Sequence, residues 1–85
     1  MAKVFHPIES LLVPATTGQK AHPANTEYKV SYGSEIWDGI AVEVYKVQMV
    51  YEGKVSGRRS PSYPCASDYQ KVHEAMQQLI EKHGK

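Results

Sequence analysis

Hydrophobic and polar residues alternate with a period of two through the middle of this 85-residue chain and take a helical period near its end. Glu27-Tyr-Lys-Val-Ser-Tyr32 places Tyr28, Val30 and Tyr32 on one face of a strand. Gly33-Ser34-Glu35 reads as a turn, and Asp38-Gly39 as a second, stronger one. From Ile40 to Tyr51 the residues are β-rich, but their parity changes. Ile40, Val42 and Val44 are apolar at even positions, whereas Tyr45, Val47, Met49 and Tyr51 are apolar at odd ones. An inserted residue near Tyr45 or Lys46 would keep both halves facing one core, as a β-bulge does. A strand covered on both faces is the alternative, and the bulge is the preferred expectation.

A return strand follows Glu52-Gly53. A three-residue loop with Gly53 in the left-handed conformation sets Met49 opposite Val55 and Val47 opposite Gly57. On the other face it sets Val50 opposite Lys54, Gln48 opposite Ser56 and Lys46 opposite Arg58. Pro61 and Pro64 cannot donate to a ladder, so that strand ends at a sheet edge. Further on, Ser67-Asp-Tyr-Gln70 fits a capping box with Ser67 at the N-cap. Tyr69, Val72, Met76, Leu79, Ile80 and His83 then form one apolar helical stripe, and Gly84 is a natural stop. Upstream, Pro7, Pro14 and Pro23 interrupt residues 1–26. These are expected to form a partly ordered N-terminal arm, with a short strand at 8–13 and a polar loop after it. Residues 27–85 are expected as a single domain. The fold class is α+β: a small antiparallel sheet of three or four strands with one C-terminal helix packed on one face.

Length sharpens this picture. A chain of 85 residues is one domain and buries only about 60–65% of its unfolded surface, so a homodimer would supply useful extra burial. A core plus a roomy enclosed pocket would need more than its 41% hydrophobic residues, so a small-molecule ligand is not expected. No apolar run approaches the ~18 residues of a spanning helix, and Met-Ala-Lys-Val-Phe-His-Pro lacks the apolar core of a signal peptide. A cytoplasmic protein without membrane contact is therefore expected.

Net charge is only +1, yet charge is segregated. Residues 27–43 hold Glu27, Glu35, Asp38 and Glu43 against Lys29, a balance of −3. Residues 46–59 hold Lys46, Lys54, Arg58 and Arg59 against Glu52, a balance of +3. The basic hairpin, with Ser56, Ser60, Tyr45 and Tyr51, has the chemistry of a single-stranded nucleic-acid surface. Cations would neutralise phosphates, hydroxyls would donate hydrogen bonds and rings would stack on bases. Two features restrict it. Tyr45 and Tyr51 share the core-facing side, and Arg59 falls opposite the face that carries Lys46, Lys54 and Arg58.

Other chemistry is sparse. His73 and His83 lie about 15 Å apart along the helix, and His6 and His22 precede prolines, so no metal site or cofactor is expected. Cys65, the only cysteine, has no accompanying signature of a nucleophile and reads as a partly buried thiol. Trp37 reads as a core or dimer anchor. No catalytic residues are expected, and the chain is read as a non-enzyme.

Ala41-Val-Glu-Val-Tyr-Lys-Val-Gln-Met-Val-Tyr-Glu-Gly-Lys-Val-Ser-Gly-Arg-Arg resembles a stretch of one known family. This is the positive cofactor four-like family of single-stranded-DNA-binding transcriptional coactivators, which it resembles over about residues 27–83. The resemblance implies a dimeric ββββα unit with Lys46, Lys54, Arg58 and Arg59 toward DNA. Ser60-Pro61-Ser62-Tyr63-Pro64 departs from the family's glycine and apolar strand, and Tyr69 stands where a tryptophan is frequent. The leading expectation is thus a nucleic-acid-binding module favouring single strands. The alternative is a protein-interaction or self-assembly domain using its segregated acidic and basic segments.

Overall fold

The computed structural model describes residues 5–56 and 60–84. Four strands, β1 (Phe5–Pro14), β2 (Thr26–Trp37), β3 (Ile40–Tyr51) and β4 (Lys54–Ser56), precede one helix, α1 (Ala66–His83). The strands form an antiparallel meander in the order β1-β2-β3-β4, and α1 packs on one face. The α+β class read from the sequence is the fold.

Two-residue turns join the strands at both ends of β3. Asp38 and Gly39 take φ of 50° and 80° between the paired residues Trp37 and Ile40. Glu52 and Gly53 take φ of 50° and 79° between Tyr51 and Lys54. Such turns match the twist of the strands they join. The second turn is one residue shorter than the expected loop, so β4 slips by one. Met49 faces Ser56 and Val50 faces Val55. With a side-chain period of two, a one-residue slip exchanges faces. Val55 joins Val50, while Lys54 and Ser56 move to the side of Met49 and Tyr51.

The turn expected at Gly33–Glu35 does not form, because β2 runs through it to Trp37. Gly33 is instead needed for close backbone approach. A Cβ there would lie 2.4 Å from His6 O and 2.8 Å from Pro7 Cα, where β1 bulges between Pro7 and Glu9. The bulge expected near Tyr45 is also absent. β3 stays in unbroken register with β2 from Tyr51 opposite Thr26 to Ile40 opposite Trp37. Its change of apolar parity is therefore carried by a straight strand with apolar residues on both faces.

Helix α1 covers the face holding Val13, Tyr28, Val30, Tyr32 and Met49, against which Val72, Ala75 and Leu79 close the core. It begins two residues earlier than the expected cap: Cys65 occupies the N-cap and Ser67 lies inside the helix. Asp68, not Tyr69, turns inward; Asp68 is fully buried and Tyr69 is exposed. Tyr69 packs edge-on to Tyr63 at 5.4 Å and stacks with His73 at 6.1 Å. At the other end Gly84 adopts φ of 66° and donates its N–H to Ile80 O at 2.8 Å. His83 stacks on Tyr32 at 4.3 Å and meets Glu9 Oε1 at 2.9 Å, tying the last turn to β1. The Lys82 ammonium, then His83, holds the Glu9 carboxyl below its ordinary range.

The N-terminal segment belongs to the same sheet, with β1 paired to β2 from Phe5 to Pro14. Residues 15–25 fold back on themselves through Gly18 N–H to His22 O at 3.1 Å and His22 N–H to Thr16 O at 3.2 Å. The loop is fastened to the helix start by a polar knot around the buried Asp68. Asp68 accepts from Thr16 N–H at 2.9 Å, from the Thr16 hydroxyl at 2.6 Å and from the Tyr28 hydroxyl at 2.8 Å. Burial acts to raise the Asp68 carboxyl, but the Thr16 and Tyr28 hydrogen bonds outweigh it and bring the pKa to about 2. Burial, and then the bond to Asp68, pushes the Tyr28 hydroxyl well above its ordinary range.

Candidate interaction face

Strand pairing assigns every sheet residue to one of two faces. The face away from α1 carries Leu12 and Ser10 from β1; Glu27, Lys29, Ser31, Glu35 and Trp37 from β2; even-numbered residues of β3; and Val55 of β4. Among the described residues no helix or loop packs on it. Its apolar groups are correspondingly open: Ile40 is 67% exposed, Leu12 56%, Val55 44% and Trp37 43%. Val42 and Val44 are half-buried between them. A shallow depression with Leu12, Val50 and Val55 at its base is rimmed by Ser10, Glu27 and Lys29.

Several polar groups on this face satisfy one another, while the buried Gln48 Oε1 has no partner among the described residues. The Ser10 and Ser31 hydroxyls bond across the strands at 2.8 Å. Glu35, 5% exposed, pairs with the Lys46 ammonium and accepts from Trp37 Nε1–H at 2.6 Å. Lys46 also sits 5.0 Å above the Phe5 ring. The charge of Lys46, whose side chain is 36% exposed, is thus matched by Glu35 within the protein. Both signs remain on the face, so two copies of it can meet without net repulsion.

The residues expected to contact nucleic acid do not share one surface. Lys46 lies on the open face. Lys54 and Ser56 lie on the opposite one, and Ser60 is an exposed residue beyond β4. Tyr45 and Tyr51 face the helix side, half-buried against the core, with Tyr45 packed on Tyr32 at 5.0 Å. Arg58 and Arg59 lie outside the described residues. The open-face residues Leu12, Val42, Val44 and Val55 were not singled out by charge or motif. For Val42 and Val44 the signal was the doubled parity of β3.

Cys65 approaches Ser67 Oγ at 3.1 Å and Thr16 Oγ1 at 3.5 Å, and the Ser67 hydroxyl, then that of Thr16, draws the thiol below its ordinary range. These hydroxyls and Asp68 are its hydrogen-bond partners among the described residues, and none is a general base of the imidazole type. No group of three metal-binding side chains occurs among the described residues, nor any helix long and apolar enough to cross a membrane.

No family model, curated protein or solved structure matches this chain.

Proposed function

We propose that this chain is a non-catalytic self-assembly module in which two copies meet through the open apolar face of the sheet. One observation carries the reading: β3 is apolar on both faces, and only one of them is covered among the described residues. The exposed apolar groups of the open face lie in two patches, Trp37 and Ile40 at one end and Leu12 and Val55 at the other, with Ser31, Lys46, Lys29 and Gln48 between them. Exposed apolar patches mark interaction sites. A domain of this size also gains burial it lacks by pairing. A cytoplasmic location belongs to the same proposal, since a lone thiol such as Cys65 suits a reducing compartment.

Sedimentation across a concentration series tests it. Leu12→Asp combined with Val55→Asp places two carboxylates in the shallow depression, at positions already exposed. Association should weaken at least about tenfold, as expected when charge is set into an apolar contact, while helical circular dichroism is unchanged. A parent protein that stays monomeric to ~1 mM, the millimolar limit of weak binding, would count against the module.

A single-stranded nucleic-acid module is the second reading. It draws on the exposed Lys54 and Ser60 and on the +3 balance of residues 46–59. Its mark would be oligonucleotide binding that falls steeply with salt and whose slope flattens in Arg58→Ala. Lys46, neutralised by Glu35, would add nothing to that slope.

A further inference from the structure

The outer edge of β3 provides a second, edge-to-edge contact between copies, distinct from the face contact and resting on the same self-assembly reading. In a hairpin closed by a two-residue turn, the residues flanking the turn exchange both backbone hydrogen bonds. Trp37 and Ile40 flank one such turn, so even-numbered residues of β3 direct their N–H and C=O groups to β2. Tyr51 and Lys54 flank the other, so odd-numbered residues direct theirs outward. β4 occupies that outer side only from Met49 to Tyr51. Among the described residues, no strand lies beside Ile40–Tyr45.

The other two edges are guarded. β1 carries Pro7, Pro14 and a bulge, and β4 is three residues long. Prolines, bulges and short strands are the usual devices that stop edge-to-edge pairing. Ile40-Ala-Val-Glu-Val-Tyr45 has no proline, bulge or lysine.

We infer that β3 pairs antiparallel with β3 of a second copy about a two-fold axis at Val42, joining two four-stranded sheets into one of eight strands. Every register centred on a residue keeps outward-pointing residues opposite one another, and three of these lie nearest the middle of the stretch. Centring on Glu43 sets two carboxylates face to face, which is destabilising. Centring on Val44 sets Val42 against the Lys46 of the other copy. Centring on Val42 sets Val42 against Val42 and Ile40 against Val44 on the open face, with Ala41 opposite Glu43 on the helix side. The Glu43 carboxylate, which bonds the Tyr32 hydroxyl of its own chain, then meets no like charge. The paired strands also make the two open faces one continuous surface.

The register is read by cysteine cross-linking in a Cys65→Ser background. Val42 would form a non-hydrogen-bonded pair on the two-fold axis, with Cα atoms about 4.5 Å apart, within disulfide range. Val42→Cys should therefore form a disulfide dimer under mild oxidation at least about tenfold faster than Ile40→Cys, whose opposite residue is Val44. Ala41→Pro removes an outward N–H without touching the ladder to β2, and should weaken dimerisation about tenfold or more. Equal cross-linking rates for the two cysteine variants would overturn the inference. So would an Ala41→Pro protein that dimerises like its parent. If that variant dimerises normally while Leu12→Asp with Val55→Asp does not, the edge fails and the open-face module stands. A parent that never dimerises removes both.

Discussion

Asp68→Ala is expected to destabilise the domain by about 3 kcal/mol, more than any surface change in the chain. Its carboxylate gathers Thr16 N–H, the Thr16 hydroxyl and the Tyr28 hydroxyl, and it is fully buried. Alanine removes the charged acceptor of the Thr16 N–H and hydroxyl, and hydrogen bonds to a charged group are worth about 1.5–3 kcal/mol each, the loss being limited because Thr16 is exposed and water can take its donors. The Tyr28 hydroxyl keeps a second acceptor in Ser62 O at 2.8 Å, which limits the loss. For a domain of this size the melting temperature should fall by roughly 12–24 °C. Thermal unfolding followed by circular dichroism checks it; a fall under about 4 °C, worth under 1 kcal/mol, would mean that the knot is not holding loop and helix together.

The same carboxylate gives a pH signature. Its pKa is lowered on folding, from an ordinary 3.8 to about 2. In that interval the unfolded chain binds the proton that the folded one refuses, so stability rises with pH. The contribution of Asp68 is present above about pH 4 and is lost as pH falls toward 2. Glu9, lowered by Lys82 and His83, adds to the same acid loss from the other end of the helix. Urea midpoints of the parent should therefore drop between pH 4 and 2, and Asp68→Asn should drop less over that window.

Gly33→Ala is the second large effect, about 3 kcal/mol, at the upper end of what overpacking costs. The added Cβ meets His6 O at 2.4 Å, Pro7 Cα at 2.8 Å and the Phe5 ring at 2.9 Å. Two of those contacts are backbone atoms of β1, so the strand itself must move. Loss of protection should concentrate at Phe5–Ile8, while α1 and the β2–β3 ladder keep theirs. Hydrogen exchange resolved by residue measures this. Uniform loss across the sheet, or none at all, would contradict a local steric origin.

Much of this architecture is legible in the sequence, and each misreading has its own physical cause. Tyr28, Val30 and Tyr32 alternate cleanly and do line the core. Asp38-Gly39 announced its turn because only such residues tolerate both positive φ values readily. The register of β4 was less legible because Glu52 also adopts positive φ, at 50°, which its residue type does not advertise. Gly33 looked like a turn residue because a glycine chosen for close backbone approach has the same letter as one chosen for a turn. Nothing near Asp68 in sequence marks its burial, because its partners Thr16 and Tyr28 are 52 and 40 residues away. Most consequential was the parity change in β3. Forcing all its apolar residues onto one core required a bulge. Pairing shows instead a straight strand with a second apolar face. That difference moves attention from the basic residues of the hairpin to the aliphatic ones.

Methyl spectra of leucine, isoleucine and valine, recorded from ~1 mM down to ~10 µM to span the range of weak dimers, test the open face most directly. Resonances of Leu12, Ile40, Val42, Val44 and Val55 should shift together with dilution, while those of Val72 and Leu79 beneath the helix stay fixed. Concentration-independent spectra, or shifts confined to the helix side, would contradict an open face built for a second copy.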